Sequence, residues 1–403
     1  MRAIQLRAGR SGRAPVKLPY YLRLCILLFF GWVVLYAGRT ALPVLLPALA
    51  REWRLDRAQL GLISSAFFLT YTLAQLPSGI LSDRWSPRPL LLAGYAVQGT
   101  AGLGAAWAAG PGAFGAWRAV SGLGQGTYYV TQYALAAGAV PEGRRGALLA
   151  FINTGMAAGT IVGLMLTASL VYARGWHWRA VLGLLGATGV ILAALMAVLV
   201  RPGSLPRLPA APAGPAKVGW PLTAAAFLTM YGLYTLLSWT PYYLHQVHGL
   251  CGRDAGMWTA IIPALAIPGG VAAGWASDRY GRYPVLLALL PVGGLALLLA
   301  ALPGLPAVVA GLALYGVAGK LVVDPILVAT VTDTVAPAAR GRAFAVLNLA
   351  SSAAAVAAPA LTGWLAEVTG SFVPGLMLAA MFHVPAWVCL SYARNSHLRQ
   401  GTQ

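Results

Sequence analysis

The feature that most constrains this chain is a repeated interval. Apolar runs of roughly twenty residues follow one another, and short segments between them carry nearly all the charge. A helix rises about 1.5 Å per residue, so a run of roughly twenty spans the ~30 Å hydrocarbon core of a bilayer. Twelve runs can be drawn, at 20–50, 57–82, 88–109, 112–139, 146–172, 177–200, 219–246, 254–277, 284–302, 307–333, 341–367 and 374–393. Composition matters here for what it excludes. Only 9% of the residues are charged and 59% are hydrophobic, whereas a soluble domain carries about 25% charge. That leaves too little polar surface for a cytosolic enzyme, and too much apolar surface for a disordered chain. The expected fold is an all-α polytopic membrane protein.

The net charge of +19 raises the question of nucleic acid. Its placement answers otherwise. With both termini and the even-numbered connections on one side, that side holds 19 Lys and Arg against 6 on the other, and three lie inside spans. This is the positive-inside pattern, and it places both termini in the cytoplasm. No nucleic-acid partner is expected. The basic start of the chain followed by an apolar run resembles a signal peptide, but the run continues to about Ala50 without a cleavage pattern, so it reads as the first span. Cys25, Cys251 and Cys389 are far apart and give neither a disulfide framework nor metal spacing. His177, His245, His248 and His383 form no metal or catalytic cluster either. No cofactor, metal or enzymatic activity is expected.

The segment 201–218 is the one Pro-rich linker, and it divides the chain into six-span halves, 1–200 and 219–403. The halves repeat at an offset of 195 residues. Gly79, Ser82, Asp83 and Arg84 superpose on Gly274, Ser277, Asp278 and Arg279, and Arg145, Gly146 and Asn153 on Arg340, Gly341 and Asn348. Tyr36, Thr40 and Gly124 pair with Tyr231, Thr235 and Gly319 at the same offset. Matching charged residues at one constant interval indicate a duplicated unit, hence two pseudo-symmetric six-helix bundles. Such repeats build transporters with a site at the midplane between the halves.

Charge inside the bilayer costs about 2.5–3.5 kcal/mol per residue on insertion scales, so it marks function by default. Arg39 in span one and Lys320 in span ten both fall near the midplane. Two cations facing one cavity would attract an anion, the arginine bidentately and the lysine as a point charge. Asp324 lies one turn beyond Lys320. It either neutralises that lysine or couples loading to movement by competing for it. Arg118, near the start of span four, either packs and snorkels or contacts substrate. Gln125, Tyr129 and Gln132 share one face of span four, while Tyr36 and Arg39, and Tyr231 and Tyr234, share faces of spans one and seven. Tyrosine presents an apolar body and a hydroxyl donor, which suits an organic anion, although an aromatic in a membrane helix also serves packing. Gly155, Gly159 and Gly163 give span five a small-residue face for close packing.

The motif GILSDRWSPRPLL (79–91), and its weaker copy GWASDRYGRYPVL (274–286), resemble the signature loop of the major facilitator superfamily. WRAVSGLGQG (117–126) resembles that superfamily's fourth-helix motif. The resemblance covers the whole chain and implies a secondary transporter in which spans one, four, seven and ten line the cavity. Gly79 and Gly274 would permit close helix contact. Asp83 and Asp278 would cap a helix or pair with arginines such as Arg84 and Arg279, either as a conformational latch or as a plain cytoplasmic turn.

YAGRTALPVLLP (36–47) resembles the first helix of the organophosphate antiporters and anion-cation symporters of that superfamily, in which an arginine here contacts the anion. Three departures stand out. Tyr234 occupies the position where the organophosphate antiporters carry a second arginine. Gly38 precedes Arg39 where many anion-cation symporters have an acid, and Gln125 stands at the expected glutamate of span four. The Gly-Pro pair of drug-proton antiporters is also missing from span five. The expected function is therefore alternating-access transport of a small organic anion, carboxylate or phosphorylated. Arg39, Lys320, Tyr36, Gln125, Tyr129, Tyr231 and Tyr234 would hold it, and Asp324 would couple. Protons or a counter-transported anion are the expected co-partners of a monomer in the cell inner membrane. A proton-driven drug or metabolite exporter is the alternative.

Overall fold

The computed structural model describes residues 19–84, 87–141, 144–201, 219–335 and 340–400. Among them every regular element is helical. The first half comprises α1 (Tyr20–Trp53), α2 (Arg57–Arg84), α3 (Pro87–Ala106), α4 (Pro111–Ala139), α5 (Arg145–Ala168) and α6 (Trp178–Leu199). A π-helical turn, Ser169–Ala173, extends α5. The second half comprises α7 (Trp220–Gln246), α8 (Gly252–Tyr280), α9 (Arg282–Ala301), α10 (Leu305–Ala318), α11 (Lys320–Thr334), α12 (Arg340–Thr369), α13 (Val373–Met381) and α14 (His383–Gln400). Twelve crossings thus emerge, with the tenth (α10–α11) and the twelfth (α13–α14) each broken. Nine of the helical units among the described residues are long and apolar enough to span a membrane. Large apolar side chains such as Leu62, Ile191, Val198, Val271 and Met381 point outward, where lipid is their natural solvent.

Sequence chemistry explains the ends. Proline sits in the first turn of α4, α7, α10 and α13, where its missing N–H costs nothing. His177 Nδ1 accepts from the Arg179 amide to cap α6. Within the first bundle α5 lies along α1 through its glycines. A Cβ on Gly155 or Gly159 would come within 2.5 or 2.6 Å of the Phe29 or Val33 carbonyl, so only glycine allows that approach.

Contacts between the bundles differ at the two ends. At the end away from the linker, Arg57 Nη1 donates to the Ala366 carbonyl at 2.7 Å, the Arg57 amide donates to Glu367 at 3.0 Å, and Arg51 meets His245 at 3.0 Å. Gly61 backs onto Pro359, and Tyr172 onto Gly252. Toward the linker end, Asn348 donates to Gln75 at 2.5 Å, joining α12 to α2. The Arg88, Arg144 and Arg282 side chains at that end bond within their own bundles.

Candidate functional site

Arg39 is placed by α1 and is only 5% exposed. Its Nε and Nη2 both donate to Gln125 Oε1, at 3.2 and 2.8 Å. Its Nη1 donates to the Tyr234 hydroxyl at 3.3 Å. The Gln125 amide is oriented by a bond from its Nε2 to the Leu35 carbonyl at 3.1 Å, which turns the oxygen toward the guanidinium. Arg39 and Tyr234 are equivalents at the 195-residue offset. Two equivalent residues can touch only beside the axis that relates the bundles, so this contact puts the guanidinium at the centre of the molecule.

Aromatic rings complete the surroundings. The guanidinium carbon lies 4.5 Å from the centroid of Tyr36, 4.8 Å from Tyr71, 5.2 Å from Phe67 and 5.6 Å from Phe68. All four distances are within cation–π range. Phe68 meets the Tyr234 ring edge-on at 4.6 Å. Tyr36 and Tyr234 are half-buried, while Phe67, Phe68 and Tyr71 are buried. Among the described residues no carboxylate pairs with Arg39. A buried, paired-off cation is ordinary, but a buried cation surrounded, among the described residues, by an amide, phenols and ring faces is not.

Arg118 joins this cluster from α4. It is buried, stands 4.8 Å from the Phe67 centroid on which Arg39 also rests, and its Nε has no hydrogen-bond partner. Arg118 is thus turned inward and does not snorkel to the interface, which is compatible with either helix packing or substrate contact.

The second half is built differently. Span ten was expected to be continuous, but Gly319 takes an extended conformation and the helix restarts at Lys320. Gly319 N–H closes α10 on the Tyr315 carbonyl at 2.7 Å, and its own carbonyl receives Val322 and Val323 at 3.0 and 3.1 Å. Lys320 therefore opens α11, where the helix dipole disfavours a cation. Its Nζ lies 2.7 Å from Asp324 Oδ1. The lysine is 1% exposed and the aspartate 40%, so the acid is the accessible member.

The remaining expected residues do not gather at Arg39. Tyr231 is buried inside the second bundle, with its hydroxyl 3.4 Å from Thr362 and its ring against Phe382 at 4.9 Å. One helical turn before Tyr234, its side chain points into the α7–α12 packing rather than to the axis. Tyr129 and, in the first signature loop, Gly79, Asp83 and Arg84 lie outside the residues whose side chains are described.

In the second loop Gly274 faces open space, contrary to the expected close helix contact. Asp278 pairs at 2.5 Å with Arg282, not with its neighbour Arg279, and Arg282 also bonds Ser277 at 2.8 Å and Asp333 at 3.2 Å. This cluster ties α8, α9 and α11 within one bundle. Arg279 lies near the rings of Trp275 and Tyr280 at 5.9 and 5.8 Å.

Phe67, Phe68 and Tyr71 escaped the sequence reading. In the run FFLTY (67–71) nothing distinguishes a ring that faces a cation from one that faces lipid. The guanidinium supplies that distinction only after folding.

Comparison with known proteins follows from this geometry. A family model described as Major Facilitator Superfamily matches residues 28–270 and 251–400. The 4-hydroxybenzoate transporter of Pseudomonas putida is 29% identical over 287 residues, covering 61% of this chain and 64% of that relative. The chain thus spans just under two thirds of that relative's length. The hexuronate transporter of Bacillus subtilis is 25% identical over 386 residues, covering 88% of this chain and 90% of the relative. Among solved structures, a bacterial homolog of the human lysosomal transporter Spinster, inward-facing and occupied, superposes with a TM-score of 0.83. It shares 18% identity over 94% of this chain and 98% of its own, a likeness of fold.

Proposed function

This chain belongs to the major facilitator superfamily, and from that premise we propose that it moves a small organic anion across the cell inner membrane by alternating access, with both termini in the cytoplasm. One observation carries the reading. Arg39 is buried at the axis between the bundles, in a ring of aromatic side chains, and among the described residues no carboxylate pairs with it. An anion would supply the missing charge. The two relatives described above are named for a hydroxybenzoate and a hexuronate, both carboxylates at neutral pH. A carboxylate on this chain's Arg39 is the chemistry they share.

Lys320 and Asp324 form the second charged element. In the absence of cargo they neutralise each other. Substrate or a proton arriving at the accessible Asp324 releases Lys320, and the pair thereby couples loading to movement. With the linker on the cytoplasmic side, the contacts of Arg51 and Arg57 join the bundles at the outer end. Cargo drives the transition only through tighter binding to the occluded form than to either open one. The second-loop cluster of Asp278, Arg282 and Asp333 holds its bundle rigid as it rocks. The half-exposed Asp324 also supports a proton-driven exporter as the second reading.

Thermal-shift measurements with a panel of carboxylates and phosphate esters, on wild type and Arg39→Ala, test the proposal. Anions should stabilise wild type and not the variant. Equal stabilisation of both removes Arg39 from recognition. Retained binding with lost uptake in Asp324→Asn would favour proton coupling.

A further inference from the structure

We infer that the cargo is an aromatic carboxylate, its carboxyl group attached directly to a flat ring, rather than a sugar acid. The inference rests on the anion reading of Arg39 and deepens it.

Three observations carry it. First, a single oxygen of Gln125 bridges Nε and Nη2 of Arg39. A carboxylate takes that same edge of a guanidinium, so Gln125 holds the place that the anion would occupy. Second, the guanidinium is surrounded by aromatic rings. Tyr36, Tyr71, Phe67 and Phe68 all have centroids within 5.6 Å of the guanidinium carbon, and Tyr234 packs edge-on against Phe68. Whatever is bonded to the bound carboxyl carbon must therefore lie against apolar surface. In a sugar acid the next carbon bears an oxygen, a hydroxyl or the ring ether oxygen, and the carbons beyond it bear more, so several polar groups would lose their water against ring carbon. In an arene carboxylate the next carbon belongs to a ring, which packs offset or edge-on against the same walls. Third, the polar groups of the cage other than Gln125 are phenols, and Tyr234 Oη lies on the far nitrogen of the guanidinium. A hydroxyl carried farther round an aromatic ring would reach phenols.

Benzoate and glucuronate are both monoanions, so a comparison of the two isolates ring chemistry from charge. The full-length protein in detergent should be stabilised by benzoate, and proteoliposomes should accumulate it. Glucuronate at the same concentration should do neither. Arg39→Ala should lose the benzoate response. Phe68→Leu keeps apolar bulk but removes the π face, and should weaken benzoate by about tenfold while remaining monodisperse. Tyr36→Leu tests the opposite wall with the same expectation, should the first variant fail to fold.

Arg39-dependent stabilisation by glucuronate equal to or greater than that by benzoate overturns the aromatic assignment and leaves the anion reading intact. A benzoate response unchanged in both Phe68→Leu and Tyr36→Leu also overturns it. Responses to both anions that ignore Arg39 overturn the anion reading itself.

Discussion

The two halves of the molecule solve one problem, a cation in the middle of a membrane, in opposite ways. In the first, Arg39 sits on span one and its partner on span four is an uncharged amide, Gln125. In the second, the equivalent positions are exchanged in character: span seven carries an uncharged phenol, Tyr234, and span ten carries the cation, Lys320. The first cation has no acid partner among the described residues and is padded by rings. The second has an acid one turn away and starts a helix. Duplication therefore supplies the geometry twice, but among the described residues only one of the two cations has a carboxylate beside it. The same asymmetry shows in the paired glycines. Gly124 remains helical and lets α4 pack to within a Cβ contact of 2.7 Å on Gln98 N and Gly94 O, whereas Gly319 breaks its helix.

The largest expected effect falls on the first half. A hydrogen bond to a charged group contributes about 1.5–3 kcal/mol, so losing two of them in Arg39→Ala should weaken anion affinity by on the order of 100-fold or more. Equilibrium binding of benzoate measures this directly. Retained affinity would mean the two halves do not differ as described. Next comes Gln125→Glu, which would give the first half the internal acid it lacks. That carboxylate should occupy Arg39 and compete with cargo, and an affinity about tenfold weaker is expected in the same titration.

The second half is tested by a double-mutant cycle. Lys320→Ala and Asp324→Ala should each lower thermal stability in detergent. The pair together should cost less than the sum, with a coupling of about 1–3 kcal/mol for groups in one ion pair. Strict additivity would show that the 2.7 Å contact is not an energetic unit. Lys320→Ala should also weaken anion affinity, by less than Arg39→Ala does. The smallest effect concerns the end away from the linker. Arg51 is exposed, and its contact with His245 is worth at most about 1 kcal/mol. Arg51→Ala should shift inter-bundle distances, followed by spin labels at the two ends, modestly toward opening there. Arg57→Ala, which removes a bond to a buried-end carbonyl, should shift them further.

Much of this was legible in the linear chain. The twelve crossings follow from apolar run length, and the helix boundaries observed depart from the runs by a few residues. Arg39, Lys320 and Asp324 could be found because charge in an apolar run is rare enough to notice. Gln125 and Tyr234 could be found because the 195-residue offset points to them. The fractures at Gly319 and Phe382 could not, since each falls inside a run long enough to cross the bilayer without a break. Nor could the inward turn of Arg118, or the separation of Tyr231 from Tyr234, because three residues along a helix turn a side chain about 300° and only packing says which face is inside.

The amino-acid order alone determined that the protein crosses a bilayer in two repeated halves, because transfer free energy and charge placement act on each segment by itself. It also singled out Arg39 and Lys320 as charges within apolar runs. Which cation is enclosed by rings and an amide was decided only when helices far apart in the chain met. The hydrogen bonds and ring contacts of Arg39 depend on distances of a few ångströms between α1, α2, α4 and α7, and no local pattern encodes them.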